Sequence, residues 1–156
     1  MKDVTVNIEK ATIGDAEKIV SLQKLAYQSE AKLHGDFQIP PLVETLDEWK
    51  ETFKTHLVVL KATFDGKIIG SVRVLAKKGT CYVGRLMTHP DFQNRGVGTK
   101  LLLEVERRFP SCSRFELFTG SKSIKNIQLY EKLGYKKFKT KAVGDDAKLV
   151  FLEKRK

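Results

Sequence analysis

Residues 93–102 read QNRGVGTKLL: Gln93-Asn94-Arg95-Gly96-Val97-Gly98-Thr99-Lys100-Leu101-Leu102. Two glycines one residue apart stand at the head of an apolar run with helical spacing. Glycine has no Cβ, so another group can approach the backbone closely here. Three phosphate-binding patterns can be tested. A P-loop needs Gly, four residues, then Gly-Lys-Ser/Thr. Here Gly98-Thr99-Lys100 has the order reversed, and no glycine stands upstream at the required distance. A dinucleotide fingerprint needs a third glycine, where this chain has Leu101. The third pattern, Q/R-x-x-G-x-G/A between a strand and a helix, is matched in full by residues 93–98. The first turn of such a helix offers unpaired N–H groups and the positive end of its dipole. The amides of Arg95 to Thr99 are therefore the expected pyrophosphate donors, with Arg95 and Lys100 adding charge.

The flanking sequence supplies the strand and the helix. Val97, Leu101, Leu102, Val105 and Phe109 share one helical face, and Pro110 follows the end of that helix. Upstream, Leu57 to Phe64, Lys67 to Leu75 and Cys81 to Met87 read as strands, joined by turn signals at Asp65-Gly66 and Lys78-Gly79. Val4 to Glu9 alternates as a strand does. Thr12 and Asp15 have capping-box spacing. Ile19, Leu22, Ala26 and Leu33 then fall on one helical face, and residues 34–41 break that helix. A second, shorter helix is expected over Leu42 to Phe53. Downstream, Phe115 to Phe118 is a short strand. Ile124, Ile127, Tyr130 and Leu133 mark a helix closed by Gly134. Tyr135 to Phe138 and Lys148 to Leu152 are the last strands. The order β-α-α-β-β-β-α-β-α-β-β combines central hairpins with one parallel crossover over residues 81–118. It predicts an α/β (α+β) fold with a mixed, mostly antiparallel sheet and about four helices.

At 156 residues, with 41% hydrophobic and 9% aromatic content, the chain is expected to form one domain, 1–156, with a proper core. No signal-peptide block or membrane-length apolar run is present, so no membrane association is expected. Cys81 and Cys112 show no CxxC or Cys/His pattern. They read as buried thiols in a reducing, cytoplasmic setting with no metal. The net charge of +10 is uneven. Residues 1–76 carry 10 basic and 11 acidic residues, net −1; residues 77–156 carry 19 and 8, net +11. Such a field suits a ligand with several phosphates or a nucleic acid.

Context decides between these partners. Leu86-Met87-Thr88-His89-Pro90-Asp91-Phe92-Gln93 leads into the glycine turn. After one helix and one strand comes Asn126-Ile127-Gln128-Leu129-Tyr130-Glu131-Lys132-Leu133-Gly134-Tyr135. The series L-x-x-H-P-x-x-Q-x-x-G-x-G, followed by L-Y-x-x-x-G-Y/F, resembles the GNAT family of N-acetyltransferases over roughly residues 80–138. The resemblance implies a splayed central strand pair with acetyl-CoA in the gap. The backbone of Leu86, Met87 and Thr88 would hold the pantetheine arm. Asn94, Arg95, Gly96, Val97, Gly98 and Thr99 would hold the pyrophosphate, with Ser123 and Asn126 as further cofactor contacts. It also implies direct attack of an amine on the thioester, with Tyr130 protonating the departing thiolate. His89 is assigned a turn role.

Two positions depart from the family pattern. Ser123 stands where many relatives have Asn, and Gly84 stands where many carry a glutamate base. Glu30, His34, Asp36 or ordered water are then the candidate proton acceptors. Residues 30–51 hold six acids and two lysines, net −4, which would suit a cationic acceptor. The acceptor is expected to be a small-molecule or peptide amine, with no nucleic acid partner, and a homodimer is allowed by the resemblance. Two rival readings are a member of the fold that binds acyl-CoA without catalysis and a basic nucleic-acid-binding module.

Overall fold

The computed structural model describes residues 3–55, 57–144 and 147–156. Met1 and Lys2 lie outside the described residues. Seven strands form one sheet: β1 (Asn7–Lys10), β2 (Leu57–Phe64), β3 (Lys67–Lys77), β4 (Thr80–Thr88), β5 (Arg114–Gly120), β6 (Lys136–Ala142) and β7 (Lys148–Arg155). Their order across the sheet is β1-β2-β3-β4-β5-β7-β6. Every neighbouring pair is antiparallel except β4 and β5. The mixed, mostly antiparallel sheet expected from the element order is therefore present.

Helices cover both faces. α5 (Val97–Arg108) and α6 (Ile124–Lys132) pack on one face, where Leu101, Leu102, Val105 and Ile127 meet Val72, Val74, Val83, Phe115 and Leu117. Each such buried aliphatic side chain contributes about 1.5–3 kcal/mol. On the other face, α1 (Ala16–Ala26) and α4 (Leu46–Thr52) bring Ile19, Leu22 and Trp49 onto Val59 and Met87. No described helix is long and apolar enough to cross a membrane.

The two amino-terminal helical blocks are each broken. The first stops at Tyr27, and α2 (Gln28–His34) starts anew beyond it. The second divides into α3 (Pro40–Val43) and α4, because Thr45 starts a fresh helix by accepting a hydrogen bond from the Glu48 amide at 3.1 Å. β1 begins later than expected, since the Val4 amide donates to the Arg95 carbonyl at 3.1 Å instead of joining the ladder.

Two irregularities in β4 create the site. Its parallel ladder with β5 spans only Thr80↔Arg114 to Tyr82↔Glu116, after which the strands part. Its ladder with β3 slips, pairing Ser71 with Met87 but Arg73 with Gly84. One residue on β3 thus faces two on β4, which is a β-bulge. Arg85 sits in it with φ of 50°. The extra residue resets the alternation, so Val83 and Leu86 pack into one core although they are three apart, and Met87 packs into the other.

Candidate active site

Beyond Tyr82, the edge of β4 that faces β5 has no ladder partner among the described residues. A cleft of about 640 Å³ opens there. Leu86, Met87 and Thr88 line it from β4; Asn94, Gly96, Val97, Gly98 and Thr99 from the glycine loop and α5; Ser123 and Asn126 from the start of α6. These are all the residues expected to hold the cofactor except Arg95. The loop turns through Asn94 at φ 61° and Gly96 at φ 83°. The first hydrogen bond within α5 runs from the Lys100 amide to the Gly96 carbonyl, at 3.0 Å. The amides of Val97, Gly98 and Thr99 therefore have no carbonyl acceptor within the helix.

The expected cations are placed otherwise. Arg95 stacks its guanidinium on Phe92, 5.6 Å from the ring centroid, and does not line the cleft. Lys100 donates its ammonium to the Val4 carbonyl at 2.5 Å. The positive side chains lining the cleft are Lys122 and Lys125. The signal for them in the sequence was their position beside a helix start. His89 takes its turn role, its Nδ1 accepting from the Asp91 amide at 3.0 Å.

A second group of side chains closes the cleft from α2. Glu30 lines it and accepts hydrogen bonds from the Ser123 hydroxyl and from Asn126 Nδ2, the latter at 3.2 Å. His34 Nδ1 lies 3.7 Å from the Glu30 carboxylate, and its Nε2 accepts from the Lys122 amide at 3.4 Å. Asp36 is exposed in the loop after α2 and caps the Gln38 amide at 2.8 Å, away from the cleft. Of the six acids in residues 30–51, Glu30 alone lines the cleft. Glu44 is held by arginines, while Glu48 and Glu51 are engaged locally on α4.

Two tyrosines meet at this point. Tyr27, at the break between α1 and α2, donates its hydroxyl to the Leu86 carbonyl in the bulge at 3.0 Å. Burial pushes its pKa up to about 12, against the opposing charge of Arg85. No local pattern marks this residue, because the contact spans 59 positions. Tyr130, on α6, is 5% exposed, packs into the core and is not one of the residues lining the cleft. Burial raises its pKa, with smaller contributions from Tyr27 and Glu30. Its hydroxyl has no hydrogen-bond partner among the described residues, yet it is not one of the sealed, unsatisfied atoms. The phenol therefore keeps its proton, with the donor unused among the described residues.

The family model for the acetyltransferase (GNAT) family matches residues 17–135. The chain belongs to the GNAT acetyltransferase family. A curated relative, the UPF0157 protein YqkA of Bacillus subtilis, is 27% identical over 132 residues, 85% of this chain. The chain spans only 37% of that relative's length. Among solved structures, PaiA N-acetyltransferase of Thermoplasma acidophilum in complex with coenzyme A aligns with a TM-score of 0.81 at 17% identity, covering 98% of this chain and 100% of that one. The ribosomal-protein-S18-alanine N-acetyltransferase of Escherichia coli gives 0.81 at 13% identity, over 97% and 94%. YncA of Salmonella typhimurium, solved with its cofactor acetyl-CoA, gives 0.75 at 17% identity, over 97% and 94%. These likenesses show that the fold is the GNAT fold. In that fold the unladdered edge of β4 and the start of α5 form the two arms of the cleft described above.

Proposed function

We propose that residues 1–156 form one domain that transfers an acetyl group from acetyl-CoA to a primary amine. The observation that carries this reading is the fork. An unpaired strand edge at Leu86 to Thr88 meets free helix-terminal amides at Val97 to Thr99 in one cleft, with Lys122 and Lys125 beside them. The strand edge suits the amide-rich pantetheine arm, which can pair as an added strand. The amides and lysines suit its pyrophosphate.

The chemistry follows from the side chains around the fork. The amine nitrogen attacks the thioester carbonyl carbon, forming C–N while C–S breaks. An alkylamine with an ordinary pKa near 10 arrives charged and must first lose a proton. With glycine at position 84, Glu30 is the carboxylate that lines the cleft, and we assign it that proton; His34, hydrogen-bonded to the Glu30 backbone carbonyl at 3.0 Å, stands behind it. Tyr130 gives its hydroxyl proton to the departing thiolate, and the second proton that the nitrogen sheds as the amide forms restores the phenol. The raised pKa keeps that proton in place until the thiolate forms. The backbone N–H groups of Met87 and Thr88, just beyond the bulge, are the candidate donors to the developing oxyanion.

The test is amine-dependent release of the coenzyme A thiol from acetyl-CoA across a panel of amines. The reading expects release with at least one amine and a fall of about 100-fold or more in Glu30→Gln. Binding of acetyl-CoA without release by any amine would favour the non-catalytic acyl-CoA binder.

A further inference from the structure

On the side of the bulge away from α5, two arginines share one acid. Arg85 Nε donates to Glu44 Oε1 and Arg73 Nη1 to Glu44 Oε2, each at 3.0 Å. The three side chains are 15%, 18% and 11% exposed, respectively for Arg85, Arg73 and Glu44. Glu44 is locked further by Gln23, whose Nε2 donates to Oε1 at 2.9 Å; the Gln23 oxygen in turn accepts from Trp49 Nε1 at 3.0 Å. Arg73 also lies over the Trp49 ring, 4.8 Å from its centroid. The cluster carries two positive charges and one negative charge in a largely desolvated place. A guanidinium offers five N–H donors. Among the described residues, each arginine uses one.

Neither arginine lines the cleft, but Arg85 is joined to a residue that does. Arg85 is the residue before Leu86, whose carbonyl holds Tyr27 and which lines the cleft. On its other side is Gly84, where an added Cβ would meet nothing within 4 Å. The departure from the family pattern at position 84 therefore leaves open space at the residue before Arg85. Arg85 holds its place at a positive φ, which strains a residue with a side chain. The fixed fork of a guanidinium matches a carboxylate bidentately.

We propose that Arg85, supported by Arg73, receives a carboxylate of the acceptor, so that the amine acetylated is one that carries its own carboxylate, such as an amino acid. This rests on the acetyltransferase reading above. It replaces the cationic acceptor suggested by the acid count of residues 30–51. The product would be an N-acetylated amino carboxylate, with coenzyme A as the free thiol.

The experiment compares amino acids with the amines left by removing their carboxylate, in the thiol-release assay. Wild-type protein is expected to prefer the amino acid by about 10- to 100-fold in kcat/KM, the range of a charge-assisted pair. In Arg85→Gln that ratio is expected to collapse through a rise in KM for the amino acid. In Arg85→Lys, which keeps a cation beside Glu44, part of it should survive. A melt of each variant confirms folding, and if Arg85→Gln does not fold, Arg85→Lys must still lower the ratio. Equal use of both kinds of amine by the wild type, or an unchanged ratio in the variants, overturns the proposal. Release with neither kind overturns the acetyltransferase reading itself.

Discussion

The ring of His34 lies over the α-carbon of Gly120. A Cβ built at position 120 would overlap His34 Nε2 and Cε1. This contact seats α2 on the end of β5 and brings Glu30 to Ser123 and Asn126. Gly120→Ala must push the ring aside, because a side chain cannot occupy that space. The expected cost is about 1–3 kcal/mol, the usual range for overpacking, read as a lower midpoint in chemical denaturation. Ala at this position should also impair acetyl transfer, since Glu30 moves with α2.

Tyr130→Phe separates chemistry from packing. The hydroxyl makes no hydrogen bond to the described residues, so its removal should leave the denaturation midpoint nearly unchanged. Turnover should fall by about 100-fold or more if the phenol protonates the thiolate. A thermal shift with acetyl-CoA should persist in this variant. Unchanged turnover with the best amine would remove Tyr130 from the mechanism.

The two glycines of the opening stretch should respond in opposite directions. Gly96 has φ of 83°, and an added Cβ would stand 2.7 Å from the Asp3 carboxylate. Gly96→Ala is expected to cost about 1 kcal/mol or more. Gly98 lies inside the first turn of α5, where an added Cβ would make contact with Leu129 at 3.4 Å. Gly98→Ala is expected to stabilise the helix by about 0.5–1 kcal/mol if Leu129 gives slightly. Denaturation of the two variants side by side checks the sign.

Much of this architecture could be read from the chain. The apolar spacing of Leu101, Leu102 and Val105 fixed a helix, and the dipeptides Asp65-Gly66 and Lys78-Gly79 fixed hairpins whose residues all have positive φ. The legible signals were local, or were motif residues close together in sequence. The bulge was not legible, because Arg85 is neither glycine nor asparagine and nothing in its neighbours marks the left-handed conformation. The break at Tyr27 was hidden because the residues around it keep helical spacing on both sides. The Glu44 cluster joins positions 29 and 41 apart, and local pattern carries no information about such pairs. A count of acids over residues 30–51 likewise carries no information about which arginines meet them.

Glu44 makes stability depend on acid. Burial alone would raise its pKa, but the Gln23 hydrogen bond and the charges of Arg85 and Arg73 more than offset this and hold it below the usual value. A carboxyl lowered on folding stabilises fully above its unfolded value of about 4.3. That contribution is lost as pH falls through the lower folded value. Glu44→Gln should cost about 3 kcal/mol at neutral pH, because two partly buried guanidiniums lose their counter-ion. It should also flatten the acid limb of a stability-versus-pH curve below about pH 4.3. Denaturation midpoints at several pH values for both proteins check the two effects together.

The central claim is that the fork between β4 and β5 holds the acetyl donor. Amide hydrogen exchange with and without acetyl-CoA tests it most directly, since it reports which backbone groups gain protection. Protection is expected at residues 86–88 of β4 and at residues 97–99 of α5, with the amide at position 123 following. Protection confined to other parts of the chain, or none at saturating acetyl-CoA, would contradict it.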